Sequence, residues 1–180
     1  MSKTALVFCS SSAEVAPIYF SEIELLGRGL AERGIRLVYG GARVGLMGHL
    51  ANSALKHGGF VTGVIPEYLN QKDIVHEGLS ELIVVNSLMD RKRRMLELCD
   101  VAVAAPGGIG TLDEVTEAIA LKQLNEVVRP IVFHNFLDFW SPLLTYFEEL
   151  RNKNMISQPL EDLYKVCEDG KSVLESIELK

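Results

Sequence analysis

Apolar positions along this chain fall into short unbroken runs, separated by longer stretches in which apolar residues recur about every 3.6 positions. Thr4 to Cys9 reads as a first buried strand, Pro17 to Arg33 as an amphipathic helix, and Ile35 to Tyr39 as a second strand ended by Gly40-Gly41. Val44 to His57 reads as a helix stopped by Gly58-Gly59, and Phe60 to Ile65 as a third strand stopped by Pro66. After a polar stretch, Leu82 to Val85 predicts a fourth strand and Leu88 to Cys99 a helix. Val101 to Ala105, Ile131 to Phe133 and Leu163 to Val166 predict three more strands, with helices between them and at the end. Continuous apolar strands alternating with helices predict an α/β fold whose mainly parallel sheet is covered on both faces. In such sheets a ligand sits at the carboxyl ends of the strands. The Ser10 to Ser12, Gly40-Gly41 and Pro106 to Gly110 turns of this chain fall at such ends.

The turn after the fifth predicted strand carries the most chemistry. Pro106-Gly107-Gly108-Ile109-Gly110-Thr111-Leu112-Asp113-Glu114 has three glycines in four positions and leads into a helical pattern from Thr111 to Leu124. Glycines let the backbone approach a bound group, and the free N–H groups of a helix start favour an anion, most often phosphate. Glu114 puts a carboxylate one turn into the same helix, where a phosphate alone would not want it. Two readings of Glu114 stand at this point. Thr111 to Glu114 is also a T-x-x-E capping box, and on the residues alone capping has the stronger claim. Ser87 to Asp90 makes a similar box on the preceding helix, so the pattern is cheap.

On that preceding helix Leu88, Met89, Met95, Leu96, Leu98 and Cys99 define one apolar arc at about 100° per residue. Arg93 and Arg94 lie outside it, as solvated charges do. Arg91 and Lys92 lie inside it, where a cation needs a partner acid, a snorkelling path or a bound anion. The residues leave these choices open.

Composition narrows the class. The 180 residues read as one domain, 1–180, with a formal net charge of −6, which argues against a nucleic-acid or anionic-membrane binder. The three cysteines, Cys9, Cys99 and Cys167, form no C-x-x-C pair, and the four histidines show no metal-ligand spacing; no metal is expected, and a reducing compartment fits. No run has membrane-spanning length, so a cytoplasmic protein is expected. The dinucleotide fingerprint is absent, because strand one leads into Ser10-Ser11-Ser12 and the Gly40 to Gly48 turn has the wrong spacing. No P-loop is present either.

PGGIGTLDE, with Arg91-Lys92-Arg93-Arg94-Met95 upstream, resembles the Lonely guy family, whose members are cytokinin riboside 5′-monophosphate phosphoribohydrolases formerly mislabelled as lysine decarboxylases. The hallmark is P-G-G-x-G-T-x-x-E with an upstream R-K-x-x-M. VFCSSS, YGGARVGLMG and GVIPEYL extend the resemblance over about the first three-quarters of the chain. It implies a Rossmann-like, doubly wound sheet, a homodimer, no cofactor, and hydrolysis of a nucleoside 5′-monophosphate to free base and ribose 5-phosphate. It also implies Arg91 and Glu114 as the catalytic pair, with Lys92, Gly107, Gly108, Gly110 and Thr111 at the substrate. Asp73 falls where many members have a substrate-contacting Glu. Plant members read M-H-x-R-K where this chain has Leu88-Met89-Asp90-Arg91-Lys92, and T-W-x-Q-L-G where it has Ala120 to Asn125. These departures bear on the base or on the dimer contact. A nucleosidase acting on plain AMP and a carrier that binds without turnover are the alternatives. A carboxylate suits an oxocarbenium-like transition state, whereas lysine decarboxylation would need a Schiff-base lysine in a context not seen here.

Overall fold

A computed structural model describes residues 2–178; residue 1 and residues 179–180, the ends of the expected 1–180 domain, lie outside the described residues. Seven strands, β1 (Thr4–Phe8), β2 (Arg36–Tyr39), β3 (Val61–Pro66), β4 (Glu81–Val85), β5 (Val101–Ala104), β6 (Ile131–His134) and β7 (Lys165–Cys167), form one sheet in the order β4-β3-β2-β1-β5-β6-β7. Every pairing is parallel. The helices are α1 (Pro17–Glu32), α2 (Gly45–Lys56), α3 (Leu88–Leu98), α4 (Ile109–Gln123), α5 (Ser141–Asn152), the short α6 (Leu160–Leu163) and α7 (Gly170–Glu178).

Strand pleating divides the core in two, because successive side chains point to opposite faces. Ala5, Val7 and Cys9 pack with Leu26 and Leu30 of α1, Leu46 and Leu50 of α2, and Val173 and Leu174 of α7. Leu6 and Phe8 face the other way, onto Met95 and Leu96 of α3, Val115 and Ala118 of α4, Phe147 of α5 and Leu160 of α6. The expected doubly wound parallel sheet is what forms. Its strand order reverses at β1, whose neighbours are β2 and β5, and the crevice between β1 and β5 is where such folds bind ligands.

Most element ends differ from the sequence reading by one residue, Pro66 for one lying inside β3 rather than beyond it; two boundaries differ by two residues. Leu163 closes α6 rather than opening the last strand, and β7 runs Lys165–Cys167; Leu160 and Leu163 are both buried, so their apolar signal belongs to a single helical turn. Helix α4 begins at Ile109, two residues before Thr111. Gly108 is its N-cap and no side chain caps it, so the Thr111–Glu114 capping box does not form. Ser87 does cap its helix: its hydroxyl accepts the Asp90 amide at 3.0 Å and donates to the Asp90 carboxylate at 2.8 Å.

Candidate active site

The loops after β1 and β5 are sewn together at the switch point. The Ala105 amide donates to the Phe8 carbonyl (2.9 Å) and the Ser10 amide to the Pro106 carbonyl (3.1 Å). Above them lies a cavity of about 290 Å³, walled by Cys9 to Ser12 just after β1, Gly40 just after β2, Met47 from α2, Arg91 from α3, and Gly108 to Thr111 with Glu114 at the start of α4.

Two helices start at this cavity, and only one offers its amides. On α2 the Met47 amide donates to the Ser10 carbonyl at 3.3 Å, and the backbone of Ser11 and Ser12 lies against Gly45, so that end is covered. On α4 the first intrahelical bond is Leu112 N–H to the Gly108 carbonyl, 3.0 Å. The amides of Ile109, Gly110 and Thr111 precede it and have no partner within the helix. A side chain built at Gly108 or Gly110 would meet nothing within 4 Å, so these glycines leave open space beside the amides. That is an anion cradle, reinforced by the helix dipole. Gly107 has a different task. A Cβ there would collide with the Thr111 side chain, which lies buried beneath the turn.

Glu114 and Arg91 meet across the cavity, Oε1 to Nη2 at 3.9 Å, with side chains 14% and 13% exposed. At that separation the guanidinium attracts the carboxylate without a close hydrogen bond. The Arg91 Nε is buried with no acceptor among the described residues, which leaves donors for a ligand. Gly40 makes the approach possible, since a Cβ there would overlap the Arg91 guanidinium. Burial raises the Glu114 carboxyl from its ordinary 4.5 to about 7; Arg91 opposes the rise and the Asp113 carboxylate adds to it. Burial also pushes the Cys9 thiol up, with Glu114 adding to the effect, so Cys9 stays a protonated wall rather than a nucleophile.

Five of the eight sequence-named residues therefore gather on one cavity: Arg91, Glu114, Gly108, Gly110 and Thr111. Gly107 supports the turn from outside the wall. Lys92 lies off the wall and bonds the carboxylates of Asp113, at 2.9 Å, and Glu117. Asp73 sits on an exposed turn between β3 and β4 and does not line the cavity. Sequence reasoning had not assigned Ser10 to Ser12, Gly40 or Met47 to the site. Their signal was their place just after β1 and β2, but it became specific only with the strand order. Arg93 and Arg94 both pair with Glu97, and Arg93 is 82% exposed.

The family model described as "possible lysine decarboxylase" matches residues 47–177. A cytokinin riboside 5′-monophosphate phosphoribohydrolase of Rhodococcoides fascians is 40% identical over 176 residues, covering 97% of this chain and 89% of the relative. One of the same name from Arabidopsis thaliana is 36% identical, covering 98% and 81%. Among solved structures, the molybdenum cofactor carrier protein of Chlamydomonas reinhardtii shares the fold with a TM-score of 0.75 at 23% identity, covering 99% of this chain and 96% of that one. With relatives matched at this level over nearly their whole length, the chain belongs to the Lonely guy family, the family whose model bears the lysine decarboxylase description.

Proposed function

We propose that this protein hydrolyses the N-glycosidic bond of a nucleoside 5′-monophosphate, of the N6-modified adenosine type, to free base and ribose 5-phosphate. The observation that carries this reading is the Glu114–Arg91 pair facing an open, uncapped helix start. The names of the relatives support the same substrate class.

In this reading the phosphate rests on the amides of Ile109, Gly110 and Thr111 and anchors the sugar. The C1′–N bond breaks, its electron pair leaves with the base, and positive charge builds on the ribose ring. Ionised Glu114 stabilises that charge and takes a proton from the water that attacks C1′; that proton passes on to the departing base, which restores the carboxylate. Arg91 draws Glu114 toward its ionised form against the effect of burial and offers its free N–H groups to phosphate or ribose oxygens. Lys92 does not fit a Schiff-base role. Two carboxylates hold it, and its amine is driven further toward the protonated form, chiefly by its hydrogen bond to Glu117.

A homodimer belongs to the same proposal. Met89 and Val128, 77% and 79% exposed, line a groove of about 620 Å³ between α3, α4 and the turn before β6. The groove also carries six charged side chains, Asp90, Arg93, Glu97, Glu117, Glu126 and Arg129, and exposed apolar residues rimmed by polar ones mark a surface for a partner. Met89 is the residue that stands where plant members have histidine, and it lines this groove rather than the cavity. A cytoplasmic location is proposed as well, supported by three buried free thiols. No helix among the described residues is long and apolar enough to cross a membrane.

The test is product chromatography after incubation with N6-modified AMP and plain AMP. Release of base from the modified nucleotide in preference to AMP supports the proposal. Faster turnover of AMP favours a nucleosidase, and tight binding with no product favours a carrier.

A further inference from the structure

The resemblance places Lys92 at the substrate, yet its surroundings describe another task. Its side chain is 17% exposed and its ammonium is committed to Asp113 at 2.9 Å and to Glu117. Asp113 and Glu117 are four residues apart on α4, hence on one face, with Glu114 next to the first of them. Lys92 likewise follows Arg91 on α3. The same two helices are thus joined twice at one level: by Lys92 to the flanking acids, and by Arg91 to Glu114 across the cavity.

We propose that Lys92 is a positioning residue, which clamps α4 to α3 through Asp113 and Glu117 in the register that sets Glu114 opposite Arg91, and that it holds no substrate. This rests on the catalytic reading of Glu114. Three carboxylates within five residues of α4 face two cations of α3. One ammonium shared by Asp113 and Glu117 offsets their repulsion and leaves Arg91 for Glu114. The groups around Glu114 are Arg91 and Lys92 from α3, Asp113 and Glu117 on its own helix, and the Cys9 thiol just after β1. Both flanking acids push the Glu114 carboxyl up and Lys92 draws it down. Removing the ammonium therefore unlocks the helix pair and also makes Glu114 harder to ionise.

The experiment compares Lys92→Gln, Lys92→Arg, Asp113→Asn and Glu117→Gln. The Glu114 carboxyl is titrated by carbon-13 NMR, and kcat and KM are measured on a nucleoside 5′-monophosphate at pH 7. For Lys92→Gln the expected results are a Glu114 titration moved to higher pH, kcat reduced about tenfold and KM changed by less than about twofold. Lys92→Arg restores all three. If Lys92→Gln does not fold, Asp113→Asn and Glu117→Gln make the test with opposite sign, moving the titration to lower pH. A raised KM with kcat and the Glu114 titration unchanged would make Lys92 a substrate-binding group and overturn the proposal; so would a titration unmoved in every variant. The NMR titration needs no turnover, so failure of the catalytic reading leaves the clamp separately measurable.

Discussion

Glu114 carries two costs of a working site in one residue: a charge in a mostly buried place, and a distance of 3.9 Å to Arg91, the cation across the cavity. Its carboxyl is raised from 4.5 to about 7 by burial. The fold therefore binds its proton more tightly than the unfolded chain does. The molecule has its full share of stability from this group below about pH 4.5 and loses it as pH rises through 7, by up to about 3 kcal/mol. Activity runs the other way, since the ionised form acts on water, and kcat/KM is expected to fall as pH drops through about 7. Glu114→Gln is expected to lose about a hundredfold or more in turnover. It should also melt above the parent at pH 8 and level with it at pH 4. A variant that turned over normally, or that melted lower at every pH, would return Glu114 to a purely structural role. Arg91→Ala is expected to abolish activity, while Arg94→Ala, at a residue that pairs with Glu97, changes it less than about twofold.

Among the elements, α3 and α4 show what a sequence pattern reveals and where it misleads. The same S/T-x-x-D/E spacing occurs at both starts, yet only Ser87 caps its helix. Ser87→Ala is expected to lower stability by about 1 kcal/mol in denaturant melts. Gly110→Ala should do the reverse. Its Cβ meets nothing and the residue lies inside the first turn of α4, so stability should hold or rise by roughly 0.5–1 kcal/mol. The added methyl narrows the cradle, and KM for a monophosphate should rise; an unchanged KM would remove the phosphate from this turn. The apolar runs made β1, β2, β3 and β5 legible, because a buried parallel strand needs no polar face. The helical period likewise turned Arg91 inward and Arg93 outward. Gly40 was not legible as the seat of Arg91, since that contact joins the carboxyl end of β2 to α3 and no local pattern records it. Asp73 was placed through a variable loop, where neither period nor register constrains position, and it lies on an exposed turn.

At the scale of the whole molecule, a sheet reversing at β1 brings the β1 and β5 loops together and lets α3 and α4 close the site from one face. The other side of that helix pair carries the groove of Met89 and Val128. Light scattering is expected to give twice the chain mass, and a Met89→Asp, Val128→Asp double variant to give the monomer mass. A monomeric parent would leave the groove without the role given to it. The central claim is that the glycine turn and Glu114 act together on one phosphorylated nucleoside. Its most direct measurement is the yield of base and of ribose 5-phosphate from an N6-modified adenosine 5′-monophosphate, beside the same nucleoside without its phosphate. The account predicts equal yields of the two products from the monophosphate and turnover at least about a hundredfold slower from the nucleoside, the worth of a few charge-assisted hydrogen bonds. Equal rates on the two, or binding of the monophosphate with no product, would contradict it.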